Sequence, residues 1–148
     1  MFNFKEKEME NTTAPVIIKG EYKGSLRNEM THLKSNNTIM TDAPTDNHGK
    51  GEAFSPTDTV CGALAACMMT IMGITAQAHD FNVDGTKYEI KKTMAQNPRR
   101  IGQIDIAFTF PKNDYTDKQK EMLKKAADTC PVAQTLSKEV VVNITMNF

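Results

Sequence analysis

The chain has 148 residues, 39% of them hydrophobic and 24% charged, with Lys+Arg 18 balancing Asp+Glu 18. That length suits one domain, 1–148, with residues 1–14 as a flexible lead-in. The balanced charge gives no footprint for nucleic acid, whose binders concentrate basic residues.

Met1 to Glu8 lacks the apolar run of a secretory signal, so a cytoplasmic location is expected. Three cysteines in such a chain read as free or functional thiols rather than as a disulfide scaffold.

Val16 to Lys23 reads as a strand, followed by a turn at Lys23-Gly24-Ser25. Leu26 to Leu33 alternates, with Leu26, Asn28, Met30 and His32 on one face. Ser35-Asn36-Asn37 is a second turn signal, because Asn tolerates left-handed backbone. Thr38 to Thr41 completes a three-stranded meander, and Asp42 to Ala53 is polar and reads as a loop.

A helix start follows, with Ser55 as cap, Pro56 at the first helical position and Asp58 at the third. The helix is expected to run to Ala78. Thr59 to Ala78 carries no charge and is nearly long enough to cross a bilayer. It is interrupted by Gly62, Thr70, Gly73, Thr75 and Gln77 and is richer in Ala than in Leu, so it reads as the central helix of a domain rather than a membrane span.

Tyr88, Ile90 and Met94 share a face of the next strand, Asn97 to Arg100 turns the chain, and Ile104, Ile106, Phe108 and Phe110 alternate in a half-buried strand. Thr116 with Gln119 forms a capping-box pattern ahead of an apolar stripe of Met122, Leu123, Ala126 and Ala127. Cys130-Pro131 opens a short helix through Ser137, and Val140, Val142, Ile144, Met146 and Phe148 alternate in a last strand. Connections too short for regular βαβ units argue an α+β fold with an antiparallel-rich sheet.

Cysteine is the reactive residue type placed distinctively. Cys61 and Cys67 share one helix, where six residues diverge by about 120° and rise about 9 Å. That exceeds the roughly 7 Å Cα separation a disulfide permits, so these two do not pair within one chain. Cys130 sits in a cap-like position where unpaired N–H groups favour a thiolate. The simplest reading of any one of the three is a buried thiol packed as a small hydrophobe.

His32, His48 and His79 are scattered and no Cys-x-x-Cys is present, so no zinc site is expected. No phosphate loop or nucleophile elbow appears, and no cofactor is expected. Met68, Met69 and Met72 read as flexible core filling, with the lining of an apolar pocket as the alternative.

Phe54-Ser55-Pro56-Thr57-Asp58, then Gly62-Ala63-Leu64-Ala65-Ala66-Cys67, together with Cys130-Pro131-Val132, resembles the OsmC/Ohr family over almost the whole chain. The resemblance implies two central helices against curved sheets and an intertwined homodimer. It also implies a thiol-dependent peroxidase acting on organic hydroperoxides, with Cys67 attacking, Cys130 resolving, Arg27 activating and an external thiol as reductant. Arg99 and Arg100, at a hairpin tip, read instead as solvated.

One departure stands out. Peroxidase members carry a glutamate ten residues before the attacking cysteine, where it holds the arginine; here that position is Thr57. The neighbouring Asp58 points about 100° away and reads as a capping residue. The departure keeps a second class open: a non-catalytic dimer of this fold that binds a small apolar ligand.

Overall fold

In the computed structural model, residues 14–148 are described, so the expected flexible lead-in falls outside the description except for Ala14. The chain divides into two compact units, Met1–Ser55 and Pro56–Phe148.

The first unit is a meander of β1 (Ile18–Gly24), β2 (Arg27–His32) and β3 (Asn37–Asp42), paired antiparallel in that order. Both predicted turns are present. Gly24, Ser25 and Leu26 all adopt positive φ, as does Asn36, whose amide and that of Ser35 both donate to the His32 carbonyl. The β2–β3 register sets His32 against Asn37 and therefore Arg27 against Asp42.

The predicted loop after β3 contains a single 3-10 turn, Thr45–Asn47, and folds back on the end of β3. Gly51 N–H donates to Ala43 O, and Glu52 N–H donates to the Asp42 carboxylate. Gly49 is required in this loop because a Cβ there would collide with the Ala43 carbonyl.

The second unit opens with α1 (Pro56–Ala78), beginning at the proline as its fixed φ and missing N–H predict. Its buried residues, Cys61, Leu64, Ala65, Met68, Met72 and Ala76, form one stripe at helical spacing. Length and composition alone would let α1 cross a membrane. Here it packs on both helices and two strands of its unit, as a core helix does.

Next come β4 (Lys87–Ala95) and β5 (Arg100–Thr109), the expected antiparallel hairpin, with a register shift at Thr93/Met94. Helix α2 (Asp117–Asp128) follows, its Thr116–Gln119 capping box fully formed. Helix α3 (Pro131–Thr135) is shorter than expected, with Leu136 as its C-cap. The last strand, β6 (Val141–Asn147), pairs with β5 in parallel.

That parallel pair corrects the expectation of connections too short for a βαβ unit. Parallel neighbours need a crossover, and residues 110–140, carrying α2 and α3, provide one. The architecture is still α+β, with five of the six strands joined in antiparallel pairs. Ile104, Ile106 and Phe108 of the central strand β5 are buried, as are Leu123, Ala126 and Ala127 of α2. The sheet and α2 close over the α1 stripe to make the core.

Candidate functional site

Two elements bring Cys67 and Cys130 together. Helix α2 ends at Thr129, whose amide and hydroxyl both donate to Ala126 O. Cys130 then serves as N-cap of α3, with Pro131 starting the new helix because it needs no N–H partner. This turn lays the Cys130 sulfur 3.9 Å from the Leu64 carbonyl of α1.

Leu64 lies three residues before Cys67. In a helix, carbonyls point toward the C-terminus while side chains lean toward the N-terminus, so the Leu64 oxygen and the Cys67 sulfur converge on one spot. The Cys130 thiol lies close to both, and the neighbouring Cys67 thiol favours the protonated form of Cys130.

The two thiols differ in environment. Cys130 is 0% exposed, whereas Cys67 is partly exposed. Burial, reinforced by the bond to Cys67, pushes the Cys130 pKa above its ordinary value. The amides of Ala133 and Val132 pull the other way and are outweighed. The cap-like position therefore does not make Cys130 the readier thiolate, contrary to the local electrostatic expectation: removing a sulfur from water outweighs two amides of a five-residue helix.

Cys61 is the buried core thiol expected of it, its pKa also raised by burial, with Lys92 opposing and Asp58 adding to the shift. No disulfide joins the three cysteines.

Lys92 was not legible as a site residue. Its ammonium donates to Thr57 Oγ1 at 2.8 Å and pairs with Asp58 Oδ1 at 2.6 Å. The position where the family pattern calls for a carboxylate thus carries a hydroxyl bonded to a cation. Asp58, expected only as a cap, is an ion-pair partner. The signal was Lys92 itself, a lysine on the strand face that points toward α1.

Arg27 lies in the first unit. Its Nε and Nη2 grip Asp42 at 2.6 and 2.7 Å, and Nη2 also reaches Glu52 at 2.7 Å. The guanidinium holds the Asp42 carboxyl below its usual value. Neither carboxylate was singled out from sequence, although the turn at Ser35-Asn36 already implies a register that opposes Asp42 to Arg27.

Arg99 is exposed in the turn, as expected. Arg100 is not simply solvated: it starts β5, its Nε is shielded from solvent, and it lies 3.3 Å from Glu139. His32 bonds Ser35 through Nδ1, and His79 bonds the Thr75 carbonyl. Among the described residues, no group of histidines, cysteines and acids is arranged to hold a metal.

Residues 49–145 match the family model described as OsmC-like protein. A solved structure from Psychrobacter arcticus 273-4, named for osmotic stress induction and detoxification response, is 41% identical, with 95% of this chain and 99% of that chain covered at a TM-score of 0.84. An organic hydroperoxide resistance protein OsmC from Legionella pneumophila superimposes at a TM-score of 0.71 with 14% identity, covering 93% of this chain and 100% of the other. An organic hydroperoxide resistance protein from Elizabethkingia anophelis gives 0.73 with 12% identity over 93% and 99% of the two chains. These last two share the fold. No curated protein matches the sequence.

Proposed function

Because the chain belongs to the OsmC-like family, we propose that it is a cysteine-based peroxidase that reduces organic hydroperoxides in a reducing, cytoplasmic setting as part of oxidative-stress defence. The observation that carries this reading is the placement of a fully buried Cys130 sulfur 3.9 Å from the carbonyl of Leu64, one helical turn before a partly exposed Cys67. The exposed member can meet a substrate, while the buried one is kept protonated until it is needed.

In the reaction, the Cys67 thiolate attacks the terminal oxygen of ROOH and the O–O bond breaks. The alkoxide leaves and takes up a proton as ROH, and Cys67 becomes a sulfenic acid. The Cys130 sulfur then attacks the Cys67 sulfur. The hydroxyl departs with the Cys130 proton as water, and a disulfide remains. An external thiol reductant, consumed as two thiol groups per turnover, reduces that disulfide and is itself oxidised to a disulfide. Arg27 supplies the cation that favours the Cys67 thiolate, as the family resemblance implies, and the working form is a homodimer.

Stopped-flow mixing with cumene hydroperoxide tests the proposal. The wild-type chain should be oxidised within the mixing experiment and Cys67→Ser should not. A Cys67→Ser protein that consumes the peroxide as fast as wild type overturns it.

One observation favours a second reading, a non-catalytic dimer binding a small apolar ligand. Lys92 bonds Thr57, where the peroxidase pattern calls for a glutamate that holds the arginine, and it pairs with the neighbouring Asp58. Native mass spectrometry decides: a co-purifying ligand together with unreactive thiols supports this reading, and rapid oxidation of Cys67 removes it.

A further inference from the structure

A disulfide offers a reductant two sulfurs, and in the second unit the two are not equivalent. Cys130 belongs to the buried core with Leu123, Ala126 and Ala127 and is 0% exposed. Cys67 is partly exposed. On the solvent side of α1 its neighbours Ala63, one turn back, and Ala66 are exposed and small. On the other flank Leu64 is buried, and its carbonyl is the one that the Cys130 sulfur approaches to 3.9 Å. Side chains on a helix lean toward its N-terminus, so the Cys67 sulfur lies between a dry side holding Cys130 and a wet side over Ala63.

In thiol–disulfide exchange the incoming sulfur approaches opposite the leaving one, and the rate depends on access and on the pKa of the leaving thiol. Here the two factors oppose each other. Burial raises the Cys130 pKa, which makes Cys130 the poorer leaving group. Access favours the opposite outcome. The approach to Cys67 over Ala63 is open and faces away from Cys130, whereas a line of attack on Cys130 runs through the packed core. A core sulfur is reached only in rare, locally opened states. Access wins, because a raised pKa slows exchange by degrees while a sealed sulfur does not react until the core opens.

We propose that the external thiol attacks Cys67 and expels Cys130, so that one sulfur serves both the oxidative and the reductive half of the cycle. The reductant thiolate bonds to the Cys67 sulfur and the Cys67–Cys130 bond breaks. Cys130 leaves with the electron pair and takes up a proton. A second thiol group then attacks the reductant's sulfur, Cys67 leaves as the thiolate, and the reductant ends as a disulfide. The inference rests on the reading that Cys67 and Cys130 form a disulfide, and it names the sulfur at which the reductant docks.

The test uses the full chain oxidised with diamide, so that the disulfide is made without hydroperoxide. Brief exposure to 2-mercaptoethanol, acid quenching and alkylation with N-ethylmaleimide fix the intermediate for peptide mass spectrometry, with fragmentation separating Cys61 from Cys67. The mercaptoethanol adduct should lie on Cys67 and the maleimide on Cys130, in at least about tenfold excess over the reverse pattern. The reverse pattern or an even mixture overturns the inference.

If the adduct collapses before quenching, the rate of disulfide reduction by dithiothreitol decides, measured in urea below the unfolding transition. It should stay within about twofold of the rate without urea, because Cys67 is reached without opening the core. A larger rise shows that reduction waits for the core to open, and overturns the inference. A chain that diamide oxidises and hydroperoxide does not removes the peroxidase reading alone. A chain in which neither reagent joins Cys67 to Cys130 removes both.

Discussion

Cys130 reaches from the cap of α3 to the turn of α1 that ends in Cys67, its sulfur 3.9 Å from the Leu64 carbonyl, where the Cys67 thiol helps keep it protonated. The contact joins residues 63 positions apart in sequence through two elements that are each simple to form. The chemistry proposed for the pair depends on which sulfur is wet and which is dry.

Cys130→Ser should therefore separate the two chemical steps. The first oxidation of Cys67 should proceed at a rate within a few-fold of wild type, because the attacking sulfur is intact. No disulfide should form, and a sulfenic acid should accumulate. Trapping with dimedone and intact-mass measurement would read this. Equal disulfide yield in the variant would show that a cysteine of a second chain resolves instead.

Both buried thiols have pKa values raised above the ordinary 9.0. In each case the folded state binds the proton more tightly than the unfolded chain does. The stabilisation is complete below pH 9.0 and is lost as pH rises through the higher folded values. Urea midpoints measured between neutral pH and pH 10.5 should fall on the alkaline side, and less steeply in Cys61→Ala (pH values chosen for the assay, about one to two units around the thiol range).

Asp42 has the opposite sign. Its pKa lies below the ordinary 3.8, held there by Arg27. Its contribution is present above pH 3.8 and is lost as pH falls through the lowered value. Acid titration followed by circular dichroism should show a destabilising limb on the low-pH side that Asp42→Asn flattens. An unchanged acid limb in that variant would mean that other carboxylates control it.

Leu123 is fully buried between α2 and the rest of its unit. Leu123→Ala should cost about 2–5 kcal/mol, through lost burial and the cavity left behind. Thr116→Ala removes the hydroxyl that accepts from Gln119 N and should cost about 1 kcal/mol. Urea denaturation of the two variants should rank them in that order. The reverse order would indicate that the core refills around position 123 or that α2 depends on its cap more than on its packing.

Much of the local structure was legible because local signals act over a few residues. Pro56 set the start of α1, Thr116 with Gln119 set that of α2, and alternation placed Ile104, Ile106 and Phe108 inside. The family resemblance, carried by the segments around Cys67 and Cys130, agreed with the fold. The motifs around Cys67 and Cys130 single out those two thiols, but their environments are not legible in the sequence. Solvent exclusion at Cys130 comes from α1 packing over it, and no pattern near residue 130 encodes that.

The sequence by itself determined where helices and strands begin, which faces are apolar and which residue types are available for redox chemistry. These follow from backbone geometry and the period of the side chains. Tertiary structure alone decided that β6 runs parallel to β5, that Cys130 is the protonated partner of Cys67, and that Asp42 rather than a residue at position 57 holds Arg27. Each of those depends on distances between groups remote along the chain. Burial and Coulomb interaction are set by such distances, and short-range sequence patterns do not contain them.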